Sequence, residues 1–270
     1  MSIMALEQLA SYIYEFCGID YSKNLPSLES KITYRIKELR LNIWEYCGYV
    51  KIEEKERDTL IELITVNETY FFREENLLRE LQTNIFPKFE DYSKEKTFRI
   101  WCAACSSGEE PYTLAMLIKE TMLFEKSSVE IIASDINKKV LDKAENGVYS
   151  SKSLSFRKMP YGMLDKYFDK IEDDYKVKDE IRKLVKFKNL NMFDKNIEQE
   201  VGRVDIILCR NVLIYFDTEF TKKAALSFYN ILNETGYLFL GHAETITNVN
   251  PGFDTIYTPS IFYYKKGEKA

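Results

Sequence analysis

Two adjacent acids, Glu109 and Glu110, follow the small-residue turn Cys105-Ser106-Ser107-Gly108 and are the part of this chain best suited to chemistry. The turn comes after an apolar run, Ile100-Trp101-Cys102-Ala103-Ala104, which suits a buried strand. Small residues there let the backbone turn sharply and approach a ligand. Glu109, Glu110 and Pro111 then read as a helix start, with Leu114, Leu117 and Ile118 as its apolar face. Strand, tight turn and helix is how an open α/β sheet builds a ligand crevice at its strand ends, although the same pattern serves as a plain turn without a ligand. No Gly-Lys-Ser/Thr and no three-glycine fingerprint follows, so the usual phosphate cradles are missing. Carboxylates at the mouth suit hydroxyls or a cation, such as a ribose or a sulfonium.

A third carboxylate adds to this. Asp135 ends the apolar run Val129–Asp135, 27 residues after Gly108, near the place where nucleotide-binding α/β folds put a ribose-binding acid. Spacing alone fits a helix N-cap before Asn137–Lys143 equally well. The single histidine, His242, rules out multi-histidine metal sites and leaves one candidate for any histidine-based triad. The chemistry should therefore need little proton transfer. Cys102 and Cys105 have redox-motif spacing, but Cys102 falls inside the apolar strand, and no second ligand pair completes a zinc site. Five cysteines without a secretory signal, together with no apolar run long enough for a membrane span, make the cytoplasm the expected compartment. A net charge of −5 gives no reason to expect nucleic acid.

The elements that must position these residues form two blocks. Residues 1–64 read as an all-helical domain: Leu6, Leu9, Ile13 and Phe16 repeat at helical spacing up to Gly18, and Leu28, Ile32, Ile36 and Leu39 do so after Asn24. Ser22–Leu41 carries a local net charge of +3, from Lys23, Lys31, Arg35, Lys37 and Arg40 against Glu29 and Glu38. This is either a solvated face or a basic docking surface. Residues 65–98 form a linker, Thr65–Arg73, and a helix from Glu74 to Phe86 that Pro87 should end. From residue 99 to 270, strands at Val129–Asp135, Val185–Asn191, Val204–Cys209 and Gly236–Gly241 alternate with helices, among them Thr221–Leu232. A hairpin at Phe253–Lys265 closes the series. The alternation predicts an α/β fold with a mainly parallel sheet. It lapses at about 148–186, which reads as an inserted subdomain.

Taken together, NETYFFR (67–73), SSGEEPYTLA (106–115), ASDIN (133–137), Asn191-Met192, DIILCRNVLIYFD (205–217) and GYLFLGHAE (236–244) resemble the CheR-type chemotaxis receptor methyltransferases. The pieces occur in the family's order, and the helical front end fits as well. The resemblance implies a Rossmann-like class I methyltransferase domain with a small β-type insertion and an N-terminal helical domain. It implies S-adenosylmethionine bound by Asn67, Thr69, Arg73, Glu110, Asp135, Asn191, Met192, Arg210 and Asn211. Arg73 and Tyr215 would face the methyl group and the incoming glutamate. The implied reaction is protein-glutamate O-methylation of the cytoplasmic helical domains of chemoreceptors, leaving S-adenosylhomocysteine. Lys31, Arg35, Lys37 and Arg40 would then be the docking face for acidic receptor helices. The enzyme is expected to act as a monomer without metal, nucleic acid or membrane insertion. Two rivals remain: a non-catalytic module that docks on receptors and senses the cofactor, and a small-molecule methyltransferase, which leaves the basic front end unexplained. In family members tethered by a receptor's C-terminal peptide, the insertion carries a glycine-bearing loop. Phe168–Val177 contains no glycine and holds Glu172, Asp173 and Asp174, so no such tether is expected.

Overall fold

Local signals account for the helices at the front of the chain. The computed structural model describes residues 1–90, 97–124 and 128–267. It begins with α1 (Ile3–Cys17), α2 (Leu25–Leu39), α3 (Ile43–Ile52) and α4 (Glu54–Ile64). Leu6, Leu9 and Ile13 of α1 and Leu28, Ile32 and Ile36 of α2 turn inward and share one buried cluster with Tyr46, Val50, Leu60 and Ile64. Gly18 closes α1 at φ 78°. Asn24 caps α2 by accepting from the Ser27 N–H, and Asn42 forms a capping box with Glu45 on α3. Among the described residues no helix is long and apolar enough to cross a membrane.

The next helix differs from expectation. The α-helical part is short, α5 (Glu75–Glu80), and continues as a π-turn over Leu81–Ile85 and a 3-10 turn over Phe86–Phe89. Pro87 therefore does not stop the helix at Phe86. It sits in the first turn of the 3-10 segment, where its missing N–H has no partner to lose. Phe86 and Phe89 pack there against Phe98, where the sheet begins.

The remaining elements follow in chain order. They are β1 (Phe98–Ala103), α6 (Glu109–Thr121), β2 (Val129–Asp135), α7 (Lys138–Asn146) and β3 (Val148–Ser150). Then come α8 (Met163–Tyr167), β4 (Phe168–Ile171), β5 (Asp174–Val177), α9 (Asp179–Arg182) and β6 (Val185–Asn189). The chain ends with α10 (Ile197–Val201), β7 (Val204–Cys209), α11 (Thr218–Ile231), β8 (Leu232–Leu240), β9 (Phe253–Tyr257) and β10 (Phe262–Lys266). One sheet has the order β6-β2-β1-β7-β8-β10-β9, and a second, small sheet has the order β3-β5-β4. The first five strands of the large sheet are parallel, and β10 and β9 run antiparallel at its end. Alternate residues of β1 serve opposite faces: Ile100 and Cys102 join one core cluster, Trp101 and Ala103 the other. Helix α11 starts earlier than the periodicity alone indicates, because Asp217 caps it by accepting from the Phe220 N–H.

Register brings the reactive ends together. Ala103 is paired with Ser134 on one side and Cys209 on the other, and Cys209 with Leu240. The carboxyl ends of β2, β1, β7 and β8 thus form one rim. The helical bundle rests on that rim by specific bonds. Tyr14 Oη donates to Asp217 (2.6 Å), Asn191 Nδ2 donates to the Phe16 carbonyl (2.6 Å), and Asn137 Nδ2 donates to Thr65 Oγ1 (2.8 Å). At Gly18 a Cβ would stand 2.5 Å from Phe220 Cδ1, so only glycine permits this approach.

Candidate active site

A cavity of about 460 Å³ lies between the strand rim and the helical bundle. Asn67, Thr69, Arg73, Glu110, Asp135, Asn191, Met192, Arg210, Asn211 and Tyr215 all line it. They come from five separate places: the linker after α4, the start of α6, and the ends of β2, β6 and β7.

The two adjacent acids have different tasks. Glu110 faces the cavity and pairs with Arg210 at 2.7 Å. Glu109 points the other way, 1% exposed, and accepts from Ser107 Oγ (2.7 Å) and from Ser155 Oγ of the insertion (2.8 Å). Ser155 in turn accepts the Phe71 N–H on its carbonyl. Glu109 therefore fastens the insertion to the turn, and Glu110 is the acid available to a ligand. Gly108 also does something other than admit a ligand: at φ 92° its missing Cβ would meet Ala144 Cβ at 2.8 Å, so it lets α7 pack closely.

Asp135 is buried and accepts from the backbone N–H groups of Ser106 and Asn137, each at 2.8 Å. The N-cap of α7 is Asn137, whose side chain accepts from the Val140 N–H. Burial pushes the Asp135 carboxyl up to about 6, against the pull of the Asn137 and Ser106 N–H groups.

Arg210 organises the centre. Its guanidinium, 3% exposed, bonds Glu110 (2.7 Å), the Arg73 carbonyl (3.0 Å) and Glu74 (3.3 Å). Desolvation raises the Glu110 carboxyl above its ordinary value, with Arg210 opposing. Arg73 donates to the Glu68 carbonyl (3.1 Å), and its guanidinium lies 5.5 Å from the Tyr70 ring centre. The same ring carries Arg157 of the insertion at 3.8 Å, a neighbour that no local pattern announced.

Backbone strain collects here. Of the 8 non-glycine residues with positive φ among those described, five (Phe72, Glu74, Ala104, Ser106 and Asn211) sit in the segments around the cavity. Such conformations cost about 1–3 kcal/mol each and persist where the surroundings over-determine them.

The four basic residues of α2 separate. Arg35 is held by buried Glu56 (2.6 Å) and by Glu38 (2.6 Å), so it braces the bundle and is not a free docking cation. Lys31 donates to the Leu63 carbonyl and lines the cavity, with Asn24 and Ser27 beside it. Lys37 and Arg40 are exposed. Sequence reasoning missed that the bundle forms one wall of the cavity. Ser27 and Lys31 are four residues apart on one helical face, but nothing local shows what that face meets.

Cys102 and Cys105 are free, buried thiols whose ionisation burial pushes well up, which removes the redox reading. His242 is exposed and sits 3.3 Å from Glu74.

A doubly wound sheet in which β10, between β8 and β9, runs against the parallel strands, with a cavity at the strand ends, is the architecture of the Rossmann-like class I methyltransferases. The chain belongs to the CheR family: the model for the CheR methyltransferase S-adenosylmethionine-binding domain matches residues 67–262. Among curated relatives it is 37% identical to chemotaxis protein methyltransferase 2 of Vibrio cholerae, covering 96% of this chain and 88% of that one. It is 36% identical to the chemotaxis protein methyltransferase of Borreliella burgdorferi (89% and 88% covered). It is 35% identical to chemotaxis protein methyltransferase 1 of Pseudomonas aeruginosa (94% and 95% covered). The protein is thus an S-adenosylmethionine-dependent methyltransferase of chemotaxis. Its cavity suits such a cofactor, because acids and amides (Glu110, Asp135, Asn67 and Asn191) line it for ribose hydroxyls and a sulfonium, beside apolar Ile64, Val66 and Ile136.

Proposed function

We propose that this enzyme methylates glutamate side chains of chemoreceptor cytoplasmic domains, forming glutamate methyl esters for sensory adaptation. The observation that carries the reading is a cavity containing acids, Arg73 and Tyr215, while the one histidine lies exposed against Glu74. When bound, S-adenosylmethionine supplies an electrophilic methyl group on a sulfonium. A glutamate side chain, with a pKa of about 4.3, is already ionised near neutral pH, so its attack on that methyl needs no general base. Arg73 orients one oxygen of the incoming carboxylate, and the Tyr215 hydroxyl donates to the same group. Asn67, Thr69, Glu110, Asp135, Asn191, Met192, Arg210 and Asn211 hold the cofactor, with Asp135 on the ribose hydroxyls. The bundle wall and Tyr215 exclude water from the transferring group. Incubation with methyl-labelled cofactor and receptor cytoplasmic fragments tests the proposal: the label should appear on the fragments and leave as methanol in mild base. Base-stable label would move the acceptor to another atom. Cofactor binding without any transfer would favour the receptor-docking sensor.

The Asp135 role has a pH signature. Ribose hydroxyls donate best to an ionised carboxylate, so cofactor binding should pull the proton off a group that titrates at about 6 in the free protein. Affinity should be level above about pH 7 and fall as pH drops through about 6, with proton release on binding in that range. Asp135→Ala should weaken binding by roughly 1–3 kcal/mol and abolish the pH dependence. Calorimetry showing the same pH dependence in that variant would remove Asp135 from the ribose.

The receptor approaches across the bundle, with Lys37 and Arg40 as the exposed basic groups on α2. The insertion takes no tethering peptide. Its β4–β5 hairpin turns at Glu172-Asp173, with Glu172 forced to φ 52° and Ile171 paired to Asp174. A tight acidic turn without glycine leaves no loop to wrap an acidic peptide terminus. Fluorescence anisotropy with a labelled receptor C-terminal pentapeptide should show no saturable binding. Low-micromolar affinity would contradict this.

A further inference from the structure

We propose that Glu244 is a positioning residue for methyl transfer, acting through the backbone of the loop that carries Asn211 and Tyr215. This inference rests on the function proposed above. Glu244 follows β8 and is 3% exposed. Its Oε2 accepts from the N–H groups of Gly241 and Asn211, both at 2.7 Å. Its Oε1 accepts from those of Val212 (2.7 Å) and Ile214 (3.3 Å). All four partners are main-chain donors, so the carboxylate works as an anchor for backbone.

The loop needs one. After Cys209 the chain leaves the sheet, Asn211 adopts φ 60°, and a single 3-10 turn over Leu213–Tyr215 follows. Partly buried donors released from a ladder need acceptors, and a charged acceptor holds them more firmly than a carbonyl. Bonds to the N–H groups of Asn211 and Val212 bracket the Asn211 α-carbon and fix its left-handed conformation. That conformation places Asn211 in the lining of the cavity, beside Tyr215. The bond to Ile214 sets the turn that ends in Tyr215, whose own N–H closes on the Val212 carbonyl (3.1 Å). Gly241 makes room for the carboxylate: a Cβ there would lie 2.6 Å from Oε2 and 3.0 Å from the Asn211 nitrogen. Arg210, the loop's other site residue, is held independently through its guanidinium by Glu110 and the Arg73 carbonyl.

This difference sets the test. Glu244→Gln keeps the shape but turns one end into a donor, which opposes one of the two N–H pairs. Methyl transfer to receptor fragments should fall at least about tenfold in kcat, while cofactor Kd rises by a smaller factor, because Arg210, Glu110 and Asp135 still hold the cofactor when Asn211 loosens. In a Tyr215→Phe background the same change should cost less than about threefold in kcat, since the kcat part of the loss runs through that hydroxyl and the Asn211 part shows in cofactor Kd. Full multiplication of the two effects, or a kcat within about twofold of wild type, would overturn the proposal. Gly241→Ala displaces the carboxylate without altering charge and should reproduce the kcat loss, which covers poor folding of the first variant. Wild-type protein assayed in parallel separates the two claims: no receptor methylation by wild type would refute the proposed function. Amide exchange then decides the anchor without turnover. It should quicken at Asn211, Val212 and Ile214 in Glu244→Gln and stay slow in β7 and β8, whereas a uniform increase would mean a general loss of stability.

Discussion

Arg210→Met should destabilise the folded protein by about 3–5 kcal/mol, the usual cost of stripping one partner from a buried ion pair. For a chain of this size that lowers Tm by about 10 °C. The reason is local: the guanidinium is 3% exposed and stands between Glu110 and Glu74, and without it two neighbouring carboxylates are left with no cation between them. The sign of the pH dependence follows. The Glu110 carboxyl is already raised in the native state, and loss of Arg210 raises it further. A carboxyl with a raised folded pKa weakens folding as pH rises through that value, so the variant's deficit should shrink on acidification and grow toward alkaline pH. Denaturant unfolding of wild type and variant at several pH values measures both effects. A deficit below about 1 kcal/mol would show the cluster to be solvated, contrary to its burial.

Arg73→Ala should lower kcat for methyl transfer by about 10²–10³-fold, comparable to removing one preorganised donor from other active sites. Folding should change little, because among the described residues the side chain bonds only the Glu68 carbonyl and lies beside the Tyr70 ring. Arg73→Lys keeps the charge but loses the planar fork, and should recover only part of the rate. A kcat within about threefold of wild type in the alanine variant would leave the acceptor carboxylate oriented by some other group.

Where chemistry is local, the chain could be read directly. Continuous apolar runs at Val129–Asp135 and Val204–Cys209 became strands with those bounds, and the small-residue turn with its acids became a βα turn at a cavity. Pro87 misled because a proline stop assumes an α-helix, and the segment had already passed into π and 3-10 geometry. Arg35 looked like a surface cation because its partner, Glu56, is 21 residues away on another helix. The bundle's share of the cavity was invisible for the same reason: Ser27 and Lys31 meet the rim only through tertiary contact. Glu244 belonged to a recognised motif, yet its partners are main-chain N–H groups, which carry no side-chain signal.

The central claim is that ionised glutamate is the methyl acceptor. It is tested most directly by peptide mapping of a receptor cytoplasmic fragment after reaction with this enzyme and S-adenosylmethionine. The account predicts methyl esters confined to glutamate side chains, hydrolysed by mild base, and absent when those glutamates are replaced by alanine. Methylation on nitrogen or sulfur, or undiminished methylation of the alanine-substituted fragment, would contradict it.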